Sequence, residues 1–271
     1  MKFDKDKAQQ WLHYLEHSLP GIESILSLSK SPVLILGAGV LELFSEMNWI
    51  APLRRGPTGD LDLSVGLVNS ATEYETFVNE FKARKFRHDA DHPYRWHSPI
   101  EIPGAMRYVD ILSHPATDAV SESAARKMMG VDSEFSLSGM NYTMMSGYKL
   151  GPTIIIPTFI GILALKLYAY SNSPDKRRKD FADVIEICWS LVERSNHYDL
   201  TAEWAKVAHH PESIFLKSAL EKSASGNSSE WDLEDIRNEL LRRKFTAGEI
   251  DDDIKRRLLE IVAVFCDESA G

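Results

Sequence analysis

The chain has 271 residues, of which 44% are hydrophobic and 26% charged, with a formal net charge of −9; this excludes a largely disordered chain and allows one large or two modest folded domains. A protein gripping a long nucleic-acid surface usually carries a basic excess, so this charge sits better with a small polar substrate, a nucleotide or an RNA end, although Arg54-Arg55 and Lys176-Arg177-Arg178-Lys179 form local basic clusters. No apolar run approaches the ~18 residues of a membrane span, and Met1–Asp6 is not a signal peptide; the two cysteines, Cys188 and Cys266, make no disulfide framework or zinc site, and a reducing cytoplasm is the expected location.

In chain order, Lys7–Ser18 has the spacing of an amphipathic helix, and Ile22–Leu28 a second. Val33–Leu36 is an all-apolar run that predicts a buried strand, followed by the turn Gly37-Ala38-Gly39 and a helix over Val40–Met47. Trp49–Gly59 is a loop. Asp60-Leu61-Asp62-Leu63-Ser64-Val65 alternates polar and apolar, the period of a half-buried strand. Ala71–Phe86 predicts a helix with Tyr74, Phe77, Phe81 and Phe86 near its inner stripe. Tyr94–Ser98 and Arg107–Leu112 predict two strands, so that Val33 to Leu112 has the mixture of an α/β domain. Within Pro115–Gly151 the pattern gives a helix near Ser121–Met129 and one or two strands. Beyond Pro157 it is almost wholly helical: Thr158 is an N-cap, and helices follow at Phe159–Tyr170, Lys176–Glu193, Ala202–Ala208, Glu212–Ser223, Leu233–Lys244 and Ile250–Cys266.

The chemistry concentrates at Asp60 and Asp62. On a strand, residues i and i+2 share a face, with Cα atoms roughly 6.5–7 Å apart, so both carboxylates project from one surface. Two hard oxygen donors on a rigid strand suit Mg²⁺, which also takes waters and phosphates. The plainer alternative is an acidic strand edge, the usual place for Asp. Three features favour the metal: Gly37-Ala38-Gly39 at a strand-to-helix junction, where helix N–H groups make an anion site; Thr58-Gly59 beside Arg54 and Arg55; and a third acid, Asp110, in a second alternating strand. Three carboxylates on neighbouring strands beside a phosphate-binding turn suit two-metal phosphoryl or nucleotidyl transfer, with ions ~3.5–4 Å apart.

In order and spacing, Leu36-Gly37-Ala38-Gly39, then Arg55…Thr58-Gly59-Asp60-Leu61-Asp62, then Val109-Asp110-Ile111-Leu112, resemble the AbiEii-type nucleotidyltransferases of the DNA polymerase β-like superfamily. Leu163–Ala169, around Lys166, is similar to that family's lysine helix, and Lys179-Asp180-Phe181-Ala182-Asp183 to its Lys-Asp-x-x-Asp segment, so the resemblance covers about 33–186. It implies an α/β nucleotidyltransferase-fold core with a mixed sheet at 30–157, a helical lead-in at 1–29 and a helical domain at 158–271; the site is expected in the cleft between the domains, since ligand pockets favour domain interfaces. It also implies transfer of a nucleoside monophosphate from an NTP to an acceptor hydroxyl. Asp60, Asp62 and Asp110 would hold Mg²⁺, with Gly37, Ala38, Arg55, Thr58, Lys166 and Lys179 at the nucleotide. Asp180 would be a catalytic acid or one that orients the lysine. The family further implies a toxin of a toxin–antitoxin or phage-defence pair acting on RNA ends, with an antitoxin protein as partner. The chain departs from the pattern in three places: Ala38 replaces a Gly or Ser, the loop has an extra residue between Arg55 and Thr58, and His88–Gly104 is inserted. The first two motivate an alternative, a catalytically weakened nucleotide-binding or interaction module. An aminoglycoside-type enzyme modifying a small molecule is another.

Lys166 interrupts an apolar helix. It either reaches nucleotide phosphates or snorkels at a helix margin, and on both readings Lys166→Met leaves stability little changed. Asp180 and Asp183, in the first turns of the next helix, suit either a catalytic role or the helix dipole. A dinucleotide fingerprint fails because its third glycine would fall at Glu42. His88, His92 and His97, with Asp89 and Asp91, match no structural zinc spacing and read as a polar loop leading into a strand.

Overall fold

The computed structural model describes residues 3–29, 32–54, 56, 58–66, 71–92, 94–114, 147–172, 177–193 and 233–250. Arg55 and the helices expected near 121–129, at 202–208 and 212–223, and beyond 250 lie outside the described residues. The chain divides into two compact units, one of residues 2–47 and 57–157, the other of residue 1, 48–56 and 158–271.

The first unit is built on a mixed sheet. Its strands are β1 (Val33–Leu36), β2 (Asp60–Gly66), β3 (Arg87–His88), β4 (Arg95–His97), β5 (Tyr108–His114), β6 (Tyr148–Leu150) and β7 (Ile154–Ile156), in the order β3-β4-β5-β2-β1-β7-β6. β2 lies parallel to β5 and antiparallel to β1, and β1 lies parallel to β7. The helices are α1 (Lys5–Leu15), α2 (Ile22–Ser27), α3 (Gly37–Glu46) and α4 (Ala71–Ala83). The Asp4 side chain caps α1 by accepting from the Asp6 and Lys7 N–H groups at 3.1 and 3.0 Å, which starts that helix ahead of its apolar stripe.

Alternation along β2 sorts its side chains. Leu61, Leu63 and Val65 are fully buried, as are Val109 and Ile111 on the neighbouring β5, and these residues line one face. Helix α3 lies against it: a Cβ added at Gly39 would meet Met106, Trp11 and Leu61. Phe81 of α4 sits 5.6 Å from the Trp96 ring, on the same side of β4 as its buried neighbours. Burying each such large side chain stabilises by about 1.5–3 kcal/mol. The opposite face of β2 therefore presents Asp60, Asp62 and Ser64.

The structure adds to one expectation and changes another. The stretch His88–Gly104, read as an insertion, contributes an edge hairpin: β3 pairs antiparallel with β4 through Arg87↔His97 and His88↔Trp96. β4 falls within the strand expected at Tyr94–Ser98, whereas β3, with two residues, is too short to show a period in sequence. Gly37-Ala38-Gly39 is not a turn ahead of the helix but its first turn, with extended Leu36 as the N-cap residue and no side-chain cap.

The second unit contains α5 (Phe159–Asn172), α6 (Arg178–Glu193) and α7 (Leu233–Arg242). Thr158 caps α5: its hydroxyl accepts from the Gly161 N–H at 3.1 Å and its carbonyl from the Ile162 N–H at 3.0 Å. Phe159 packs near Trp49, and Tyr170 stacks on Phe181 of α6 at 5.0 Å. Among the described residues no helix is long and apolar enough to cross a membrane.

Candidate metal centre

Strand register assembles the polar face. Asp60 lies opposite Tyr108 and Asp62 opposite Asp110 across the parallel β2–β5 pair. On the far side of β5, Arg95 lies opposite Asp110 and His97 opposite Tyr108. Cross-strand partners point the same way, so one row holds Arg95, Asp110 and Asp62, and the next holds His97, Tyr108 and Asp60. Each of Asp60, Asp62 and Asp110 offers a carboxylate oxygen within 4.8 Å of the others, and among the described residues they are the group of His, Cys, Asp and Glu side chains placed to share an ion. Asp110 is buried; the other two are half-buried.

Local contacts fix this geometry. The Thr58 hydroxyl donates to Asp60 Oδ1. The Thr58 N–H donates to Glu42 of α3 at 2.7 Å, which ties the loop before β2 to the helix beside it. Gly37, at φ +72°, lies so close to Asp62 that an added Cβ would stand 1.8 Å from Oδ2. Only glycine meets both demands: it adopts positive φ without strain and leaves the space the carboxylate fills. The first turn of α3 thus begins beside Asp62.

Asp110 is gripped by Arg95. Nε donates to Oδ1 at 2.8 Å and Nη2 to Oδ2 at 2.6 Å, a two-pronged charge-assisted fork. The guanidinium lies over the Tyr108 ring at 4.4 Å, and His97 meets that ring edge-on at 5.4 Å. The Asp110 hydrogen bonds push the Arg95 pKa well above its ordinary value; burial opposes them, and the charges of Asp110 and Asp60 add to the rise.

The acids present fit a divalent ion such as Mg²⁺: all donors are hard oxygens, and three converge within coordination reach of one centre. The histidines of the β3–β4 hairpin have a different task. Asp89 accepts from His97 Nε2 at 2.7 Å and from the Asp91 and His92 N–H groups at 2.8 and 3.0 Å. The His97 bond, then the backbone bonds, hold the Asp89 carboxyl far below its ordinary range. This is a turn anchor: Asp89, Asp91 and His92 lie in the connection, as the polar-loop reading expects, while His88 and His97 lie in β3 and β4.

The remaining described candidates lie in the second unit. Lys166 does not snorkel. Its side chain is 12% exposed, and its ammonium contacts Asp180 Oδ1 at 2.9 Å and Asp183 Oδ2 at 2.6 Å. Burial pulls its pKa down, but Asp183 and Asp180 outweigh that and leave it raised. The second Asp183 oxygen takes Arg243 Nη1 at 2.7 Å, and the same Nη1 reaches Glu186 at 3.1 Å. Arg177 stands 3.5 Å from Asp180 Oδ2. Lys179 has an exposed side chain, and its carbonyl accepts from Arg243 Nη2 at 3.1 Å. Arg54 donates its backbone N–H to Glu186, pairs with Glu249 at 2.8 Å and lies over the Phe245 ring.

Arg95 and Glu42 are the site residues that sequence reasoning passed over. A signal for Arg95 was present, since Arg95-Trp96-His97 alternates with Trp96 inward; which acid it would face depends on register. Glu42 gave none, because its bond is to a backbone N–H sixteen residues away. No family model matches the chain, and neither a curated protein nor a solved structure matches it.

Proposed function

We propose that this chain is a Mg²⁺-dependent nucleotidyltransferase of the AbiEii type, with the nucleotidyltransferase fold in its sheet-containing unit, transferring a nucleoside monophosphate from an NTP to an acceptor hydroxyl. The observation that supports this most is the convergence of Asp60, Asp62 and Asp110 from two parallel strands beside the first turn of α3.

In this reading Asp60 and Asp62 are the principal ligands and Asp110 the third oxygen. A bound Mg²⁺ supplies Lewis-acid polarisation of the α-phosphate and charge neutralisation for the departing pyrophosphate. Thr58 orients Asp60 through its hydroxyl. Gly37 leaves the Asp62 carboxylate its place and starts a helix whose N-terminal N–H groups suit phosphate oxygens. Glu42 holds the loop carrying Thr58. The acceptor is an RNA end, as the family resemblance implies, with an antitoxin as the protein partner and the cytoplasm as the location. A small molecule is the alternative acceptor.

The test is transfer from each labelled NTP, with Mg²⁺ and total cellular RNA, by wild type and Asp62→Asn. Wild type should label an acceptor and the variant should not; an equally active variant refutes the assignment. One observation favours a second reading, a binding module without turnover: Asp110 is already committed to Arg95. Calorimetry with NTP and Mg²⁺ separates the two, since the module binds without transferring to any acceptor.

A further inference from the structure

The third carboxylate of the cluster is not presented alone. Both Asp110 oxygens accept from one guanidinium, at 2.8 and 2.6 Å. Arg95 reaches it from the adjacent strand, where antiparallel register sets the two residues opposite each other. The Tyr108 ring underlies the guanidinium at 4.4 Å and is itself braced by His97. Arg95 is therefore built in at one edge by hydrogen bonds and at one face by an aromatic ring, and its side chain is 22% exposed. An arginine so placed keeps its charge at any pH at which the chain is folded.

We propose that Arg95 is a resident cation standing in the place of a second divalent ion, so that the cluster takes a single divalent ion, with Asp110 neutralised by the guanidinium. The proposal rests on the reading of Asp60, Asp62 and Asp110 as a metal centre and specifies its stoichiometry. Two-ion centres set their metals ~3.5–4 Å apart and need carboxylate oxygens for both. A second ion at that spacing would compete with Arg95 for Asp110 and would be repelled by a fixed positive charge. One divalent ion and one guanidinium together bring three positive charges to three carboxylates. Arg95 is thus a positioning residue: it acts through Asp110 and sets how many ions the site accepts.

The experiment is titration of the metal-free full-length chain with Mn²⁺, counting bound ions by the paramagnetic resonance of free Mn²⁺ and by calorimetry. Wild type, Arg95→Gln and Arg95→Met are compared, with thermal unfolding to establish which variants fold. The expected result is one bound ion in wild type and a second in either folded variant. Two ions in wild type overturn the proposal with no variant needed, and one ion in wild type and variant alike overturns it too. No bound Mn²⁺ in any of them instead removes the metal centre itself.

Discussion

The acids of α6 and the acids of β2 and β5 differ in how their charge is met. On α6, Asp180, Asp183 and Glu186 fall three residues apart along one helix face and meet Lys166, Arg177 and Arg243. Asp183 has a cation on each oxygen, and Asp183 and Glu186 are each 1% exposed. On the sheet, Asp60, Asp62 and Asp110 crowd within 4.8 Å of one another, and their described partners include a hydroxyl at Asp60 and one guanidinium at Asp110. Carboxylates matched one for one with cations across helices hold helices together. Carboxylates gathered by strand register around a common centre are placed to hold something else.

The largest effect should come from the matched cluster. Lys166→Met removes a cation from between two buried carboxylates, and breaking a buried pair from one side costs about 3–5 kcal/mol. This corrects the expectation from sequence that the substitution leaves stability little changed: that expectation assumed an ammonium at solvent or at a ligand, and the ammonium is buried between Asp180 and Asp183. Denaturant unfolding measures it. A loss below about 1 kcal/mol would remove the distinction between the clusters.

Next in size is Gly37→Ala. The new Cβ would meet the Asp62 carboxylate at a φ that L-residues rarely adopt, so a loss of about 1–3 kcal/mol is expected. Divalent-ion binding should fall with it, because the carboxylate must move. Calorimetric Mn²⁺ binding on the folded variant checks this, and undiminished affinity would mean that Asp62 is not a ligand.

These contrasts show which parts of the molecule sequence patterns disclose. Val33–Leu36, Asp60–Val65 and the Asp110 strand are legible because each carries its own periodicity or apolar run, and the shared face of Asp60 and Asp62 follows from alternation alone. Ile154–Ile156 was not resolved as a strand, since its apolar run continues past Pro157 into α5. The strand at Tyr94–Ser98 is legible and contains β4, but its partner β3 has too few residues for a period. Partnerships depend on register and helix packing, which no local pattern encodes: Arg95 with Asp110, Glu42 with the Thr58 N–H, Lys166 with both α6 aspartates.

The smallest effect concerns Glu249. The Arg54 guanidinium first, then the Thr246 N–H, hold its carboxyl down at about 2. A depressed folded pKa contributes stability above the ordinary value of 4.5, and that contribution is lost as pH falls toward about 2. Both partners are 26% exposed, which limits the pair to about 0.2–1 kcal/mol. Glu249→Gln should lower stability by that amount at neutral pH and flatten its decline between pH 4.5 and about 2; an unaltered acid profile would mean that the pair is not maintained in solution.

The most direct test of the sheet cluster as a divalent-ion centre is thermal unfolding of wild type, Asp62→Asn and Asp183→Asn with and without Mg²⁺. An ion bound only by the folded state stabilises by about 2.7 kcal/mol at a hundredfold excess over its dissociation constant. Mg²⁺ should raise Tm for wild type and for Asp183→Asn, which starts lower because it weakens the helix network, and should leave Asp62→Asn unmoved. An equal Mg²⁺ shift in Asp62→Asn, or none in wild type, would contradict the assignment.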